Sequence, residues 1–101
     1  MAIQQHNPPH PGGMIERTYI EPFKEVTAAS IARELGVSKS TFSRLLSGKS
    51  DITPEMAVRL SAVLGRSAES WLLMQDNYNL WKAREAVDTD ELQRFDFSQV
   101  A

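Results

Sequence analysis

From Ala28 onward the apolar residues follow a pattern that two short helices can bury together. In a twenty-residue window opening at Ala28, Ile31, Leu35, Val37, Phe42 and Leu45 hold positions 4, 8, 10, 15 and 18. Ile31 and Leu35 lie one helical turn apart, as do Phe42 and Leu45, and the period breaks between the two pairs. Ala32 and Gly36 stand at positions 5 and 9. Two helices that cross steeply touch near their turn, so the residue at the contact must be small, as Ala32 is. A reversal within three or four residues needs a left-handed backbone, which glycine adopts without a Cβ penalty; Gly36 is placed for it. Thr27 and Ser38 precede the two apolar sets as N-caps, each contributing about 1 kcal/mol. Val26 with Ile31, and Val37 with Phe42, have the spacing of hydrophobic staples. The pattern predicts helices over 27–35 and 38–46, with Gly48 as a left-handed cap at the end of the second.

Three further helices are predicted. One covers 11–20, with Met14, Ile15 and Tyr19 facing inward, and Pro22 bars its continuation. Another opens at Thr53-Pro54-Glu55, carries Met56, Leu60, Val63 and Leu64 at helical spacing, and ends at Gly65. The last is opened by Ser67 and Glu69 and runs to Val87. It has two apolar stripes: Trp71, Met74, Tyr78 and Trp81 in 3-4-3 steps, and Leu73, Leu80 and Val87 seven apart. One stripe docks a helix on its own domain; a second predicts another buried surface. Trp71 is expected in the core, and Leu80, Trp81, Arg84 and Val87 against a second copy of the chain. Asp88 and Glu91 have capping-box spacing, so 88–101 is expected to form one short turn or an acidic tail. The reading is all-α with five helices: a flexible segment at 1–10, a domain at 11–87 and the tail at 88–101.

Composition narrows the function. The 101 residues carry no cysteine, which excludes a thiolate zinc site and any disulfide. No apolar run is long enough to span a membrane and the N-terminus lacks an apolar signal core, so a cytoplasmic location is expected. His6 and His10 form an H-x3-H pair, but Pro8 and Pro9 break any helix between them and no third ligand is in view; no metal or cofactor is expected. No carboxylate pair, glycine-rich phosphate loop or nucleophile motif is present, and no catalysis is predicted. Net charge is −2, yet it is segregated. Residues 28–50 hold four basic side chains and one acidic, whereas 66–101 hold four basic and seven acidic. A basic face and an acidic tail suit two different partners.

The basic face coincides with the paired helices. A helix lying in the DNA major groove presents its N-terminal residues to the base edges. Lys39, Ser40, Ser43 and Arg44 share one helical face, opposite Phe42, Leu45 and Leu46. They are the candidate base contacts, with Lys39 or Arg44 able to donate to guanine O6 and N7. Thr27, Ala28, Ser38, Thr41, Ser47 and Lys49 are the candidate phosphate contacts, through hydroxyls, the ammonium and free N–H groups at helix starts. One such helix touches few bases, so a homodimer on an inverted-repeat operator is expected, its half-sites about 34–36 Å apart or a multiple of that.

These residues resemble the lambda-repressor-like, or Xre-type, helix-turn-helix family. Further segments narrow the likeness: His10-Pro-Gly-Gly-Met-Ile and Ile20-Glu-Pro around the first helix, Gly48-Lys after the second of the pair, Ile52-Thr-Pro-Glu-Met-Ala-Val-Arg-Leu, and Trp71-Leu-Leu-Met-Gln-Asp-Asn-Tyr-Asn-Leu-Trp. From about His10 to Lys82 the chain is similar to the HigA antitoxins of bacterial toxin–antitoxin modules. The resemblance implies a dimer that binds an operator upstream of its own genes and neutralises a RelE-type messenger-RNA endonuclease encoded beside it. The alternative is a free-standing Xre-type transcriptional regulator with no toxin partner. Two positions depart from the family. Thr27-Ala28 stands where glutamine often clamps a phosphate, leaving that contact to Thr27 or to backbone N–H groups. Phe42 stands where isoleucine or valine is usual.

Overall fold

A computed structural model describes residues 8–100. Five helices follow in order: α1 Pro11–Ile15, α2 Ala28–Leu35, α3 Lys39–Leu46, α4 Pro54–Leu64 and α5 Ala68–Ala86. The fold is all-α and lambda-repressor-like. No helix among the described residues is long and apolar enough to cross a membrane.

Local signals set the helix ends. The hydroxyls of Thr27, Ser38, Thr53 and Ser67 accept hydrogen bonds from the N–H groups of Ser30, Thr41, Met56 and Ser70. At α2 the cap is reciprocal, since Ser30 Oγ accepts from the Thr27 N–H at 3.1 Å. Helices α2 and α3 end alike. Gly36 (φ 74°) and Gly48 (φ 82°) are left-handed, and the next N–H, from Val37 or Lys49, reaches back five residues to the carbonyl of Ala32 or Arg44.

The first helix differs from the sequence reading in its second half. After Ile15 the backbone widens into a π-helical turn, Glu16–Ile20, in which the Glu21 N–H donates to the Glu16 carbonyl. Half-buried Tyr19 there lies with its ring centroid 6.2 Å from that of Trp71. The ordered body also reaches further back than expected. Pro8 is buried, and His10, read as part of the flexible segment, caps α1 by accepting the Gly12 N–H at Nδ1. Residues 1–7, including His6 of the H-x3-H pair, lie outside the described residues.

The core gathers Ile15, Ile31, Ala32, Leu35, Phe42, Leu45, Ile52, Ala57, Leu60 and Trp71. Val63, expected on the inner face of α4, is on its rim instead, because the buried stripe runs through Ala57 and Leu60 toward half-buried Leu64. In α5 the buried residues are Trp71 and Gln75, while Leu73 and Leu80 are exposed on the opposite side. The helix stops at Ala86, one residue short of the expected end, and Val87 is exposed in the extended backbone that follows. The helix is thus apolar on two opposed faces, only one of which its own domain covers. Beyond α5 come two 3₁₀ turns, Thr89–Glu91 and Phe97–Gln99, started by the Asp88 and Asp96 carboxylates. In the first, Asp88 holds the N–H of Asp90.

Candidate nucleic-acid interface

The geometry of α3 follows from what clamps it. Phe42 and Leu45 are fully buried, which fixes the rotation of the helix about its axis. The residues on the other side, Lys39, Ser40, Ser43 and Arg44, are all exposed and belong to one surface strip. Ala32 is 1 % exposed, in the core that α2 shares with Phe42 and Leu45 of α3.

Three neighbours hold this pair of helices from outside. Arg59 of α4 donates from Nη1 to the Leu35 carbonyl at 2.7 Å and from Nη2 to Glu55 at 3.4 Å. It thereby satisfies an end carbonyl of α2 beside the Gly36 turn. Gly12 of α1 abuts the C-terminal end of α3 so closely that a Cβ there would lie 1.9 Å from the Leu45 carbonyl oxygen. From α5, buried Gln75 accepts the Ile52 N–H at 2.8 Å and donates to Asn79 at 3.1 Å. Asn79 in turn donates to Asp51 at 3.4 Å. His10 closes the circuit. Its Nδ1 accepts from Gly12, so the ring proton is assigned to Nε2, which is buried, makes no hydrogen bond among the described residues, and lies 3.5 Å from Asp51 Oδ1. The ring meets Tyr78 edge-on at 5.0 Å. The loop carrying Lys49 is therefore tied to α1 and to α5 at once. Sequence reasoning did not single out Arg59, Gly12 or Gln75 for these roles. All three did stand within the family-like strings.

The phosphate candidates divide by what their donors are doing. Lys49 is exposed, with its backbone N–H spent on Arg44. Ser38 Oγ donates to Thr41 Oγ1 at 2.8 Å, which leaves the Thr41 hydroxyl proton free to point outward. Ser47 Oγ donates to the Arg44 carbonyl at 3.2 Å and must turn away from it to meet a phosphate. At the start of α2, Thr27 Oγ1 accepts from Ser30 and keeps its own proton to give. The Thr27 N–H is taken by Ser30 Oγ, so the N–H of Ala28 is the first in that turn outside the capping box. Among the supposed dimer residues, Leu80, Arg84 and Val87 are exposed. Trp81 is half-buried, turned away from their face, and its Nε1 has no hydrogen-bond partner among the described residues.

Comparison with known proteins matches residues 24–71 to the helix-turn-helix family HTH_3. The Escherichia coli K12 protein YddM, described as an uncharacterised HTH-type transcriptional regulator, is 41 % identical over 92 residues, 91 % of this chain and 96 % of YddM. Antitoxin HigA-1 of Vibrio cholerae is 32 % identical over 84 residues, covering 83 % of this chain and 78 % of its own. Among solved structures, antitoxin GraA superposes with a TM-score of 0.78 at 31 % identity, over 90 % of this chain and 100 % of GraA. GraA in complex with its operator superposes with a TM-score of 0.74 at 29 % identity, over 94 % and 99 %.

Proposed function

The chain belongs to the Xre-type helix-turn-helix family as a HigA-like DNA-binding regulator, and from that premise we propose that it is an antitoxin that represses its own operon and neutralises a RelE-type messenger-RNA endonuclease. The observation that carries the DNA half is the strip Lys39, Ser40, Ser43 and Arg44, exposed along a helix whose rotation is fixed by buried Phe42 and Leu45. Basic and hydroxyl side chains at a helix N-terminus meet base edges, and the surrounding hydroxyls, Lys49 and the N–H groups opening α2 take the flanking phosphates.

The exposed stripe Leu73, Leu80 and Val87, with Arg84 on the same face, supports a twofold pair. Such a pair reads an inverted repeat with one α3 in each half-site. The likeness to HigA-1 and GraA supports the toxin half. The likeness to YddM favours a second reading, a transcriptional regulator without a toxin partner.

One experiment tests both halves. The full chain is expressed together with the product of the adjacent gene, purified, and footprinted on the DNA just upstream. Co-purification of a small basic protein, with protection of an inverted repeat, is the result expected. Protection without a co-purifying partner selects the regulator reading. Absence of protection overturns the DNA reading.

A further inference from the structure

The tail beyond α5 is shaped but uncovered. Leu92, Phe95, Phe97 and Val100 are between 61 % and 72 % exposed. The two phenylalanine rings lean on each other, centroids 4.7 Å apart, and not on the body. The molecule is correspondingly long, 63 × 28 × 26 Å. The tail is nonetheless held in form. Asp88 and Asp96 each start a 3₁₀ turn, and Ser98 donates to Asp96 through both its N–H at 3.0 Å and its hydroxyl at 2.6 Å. Those two bonds hold the Asp96 carboxyl below the ordinary aspartate range. Four large apolar side chains in so short a segment, presented on preformed turns, form a surface that calls for a cover.

We infer that this tail clasps a second copy of the chain, lying along the partner's α5 at the edge of the paired stripes formed by Leu73, Leu80 and Val87. The inference rests on the α5 pairing proposed above. The first argument is area. A stable pair buries about 800 Å² on each side. Three aliphatic side chains fall well short of that, whereas Phe95 and Phe97 add roughly 150–250 Å² each. The second is continuity, because Val87 ends the stripe and Leu92 continues the apolar series on the same chain. The third is reach. From Leu73 to Val87 the stripe spans roughly 21 Å at the helical rise. Of the thirteen residues from Asp88 to Val100, six lie in the two 3₁₀ turns at about 2 Å each and the others rise up to about 3.3 Å each, roughly 35 Å in all and enough to run its length. The fourth is charge. The tail carries Asp88, Asp90, Glu91 and Asp96 against Arg94 alone, and the C-terminal half of the stripe face carries exposed Arg84, the acids Glu69 and Asp76 of that face lying toward the start of α5. The same acidity keeps the tail from lying on a DNA backbone.

Sedimentation equilibrium of the full chain, of Leu80→Asp and of the double variant Phe95→Asp/Phe97→Asp tests this, with melting temperatures confirming that each variant stays folded. Both variants alter exposed positions. The inference expects a wild-type dimer, weakened at least about tenfold by either variant. A dimer lost in Leu80→Asp but unchanged in the tail variant keeps the α5 pairing and overturns the clasp. A tail variant that dimerises normally yet no longer retains the adjacent gene's product reassigns the tail to the toxin and overturns the clasp as well. A wild-type monomer overturns the pairing and the clasp together.

Discussion

Arg59 and Leu35 join two helices at the point where α2 turns into α3. The guanidinium of α4 donates to the Leu35 carbonyl at 2.7 Å, next to left-handed Gly36. A Cβ on Gly36 would lie 2.9 Å from Arg59 Nη1. Arg59→Met keeps much of the stem but removes this bond, and should cost about 1–2 kcal/mol in urea unfolding. Gly36→Ala should cost about as much from the left-handed backbone alone, and more from the contact. The double variant should therefore cost less than the sum of the two, since Arg59→Met relieves the crowding. Strict additivity in the double-mutant cycle would show that the two residues do not meet in solution.

Gly12 and Gly13 are neighbours with opposite demands. A Cβ on Gly12 falls 1.9 Å from the Leu45 carbonyl oxygen and 2.8 Å from its carbon, both backbone atoms of α3. A Cβ on Gly13 meets only the Arg17 guanidinium, 3.0 Å away at the end of a flexible side chain. Gly12→Ala should force α1 off α3 and destabilise by about 3 kcal/mol. Gly13→Ala should be neutral or stabilise by up to about 1 kcal/mol, by limiting the unfolded chain. Chemical denaturation of the pair reads the difference directly, and equal losses would remove the close approach as the cause.

Gln75 supplies a long-range cap rather than a contact surface. It accepts the Ile52 N–H in a buried position, and through Asn79 it extends to Asp51. Gln75→Leu fills the same space but orphans that N–H, at a cost of about 1–3 kcal/mol. Amide exchange at Ile52 should accelerate far more than at Leu45 in the core of α3. Uniform acceleration across the domain would mean that Gln75 contributes only to global stability.

The parts of this molecule legible in the sequence are those governed by local rules. The caps at Thr27, Ser38, Thr53 and Ser67, and the glycine stops at 36, 48 and 65, each follow from a few adjacent residues. The exposed strip on α3 follows from the positions of Phe42 and Leu45. The π-helical turn at Glu16–Ile20 was not legible, because nothing in its own pattern distinguishes it from the α-helical turn it continues. Nor were Arg59, Gly12 and Gln75, whose partners are 24, 33 and 23 residues away in the chain. The packing of Pro8 and His10 was hidden for the same reason: two prolines read as loop until Asp51 and Tyr78 stand beside the histidine. The hydroxyls show the reverse limit. Ser47 reads as a phosphate donor from its position, yet its proton is given to the Arg44 carbonyl.

Lys39, Arg44 and Lys49 are all exposed cations, and the proposed function gives them different work on DNA. The proposed function turns the strip of Lys39 and Arg44 toward base edges, where a bidentate contact to guanine contributes about 1–3 kcal/mol of discrimination. Lys39→Ala or Arg44→Ala should therefore weaken the cognate operator by that amount while changing binding to unrelated DNA much less. Lys49 follows the end of α3, on the loop tied to α5, and the proposed function sets it against the backbone of the duplex. Lys49→Ala should weaken all sequences alike and lower the slope of log K against log salt by about 1. Titrations of the three variants on operator and on scrambled duplex, at several salt concentrations, separate the two patterns. Wild-type affinity in all three would place the DNA surface elsewhere, and a uniform loss in all three would reduce α3 to a basic patch with no role in reading sequence.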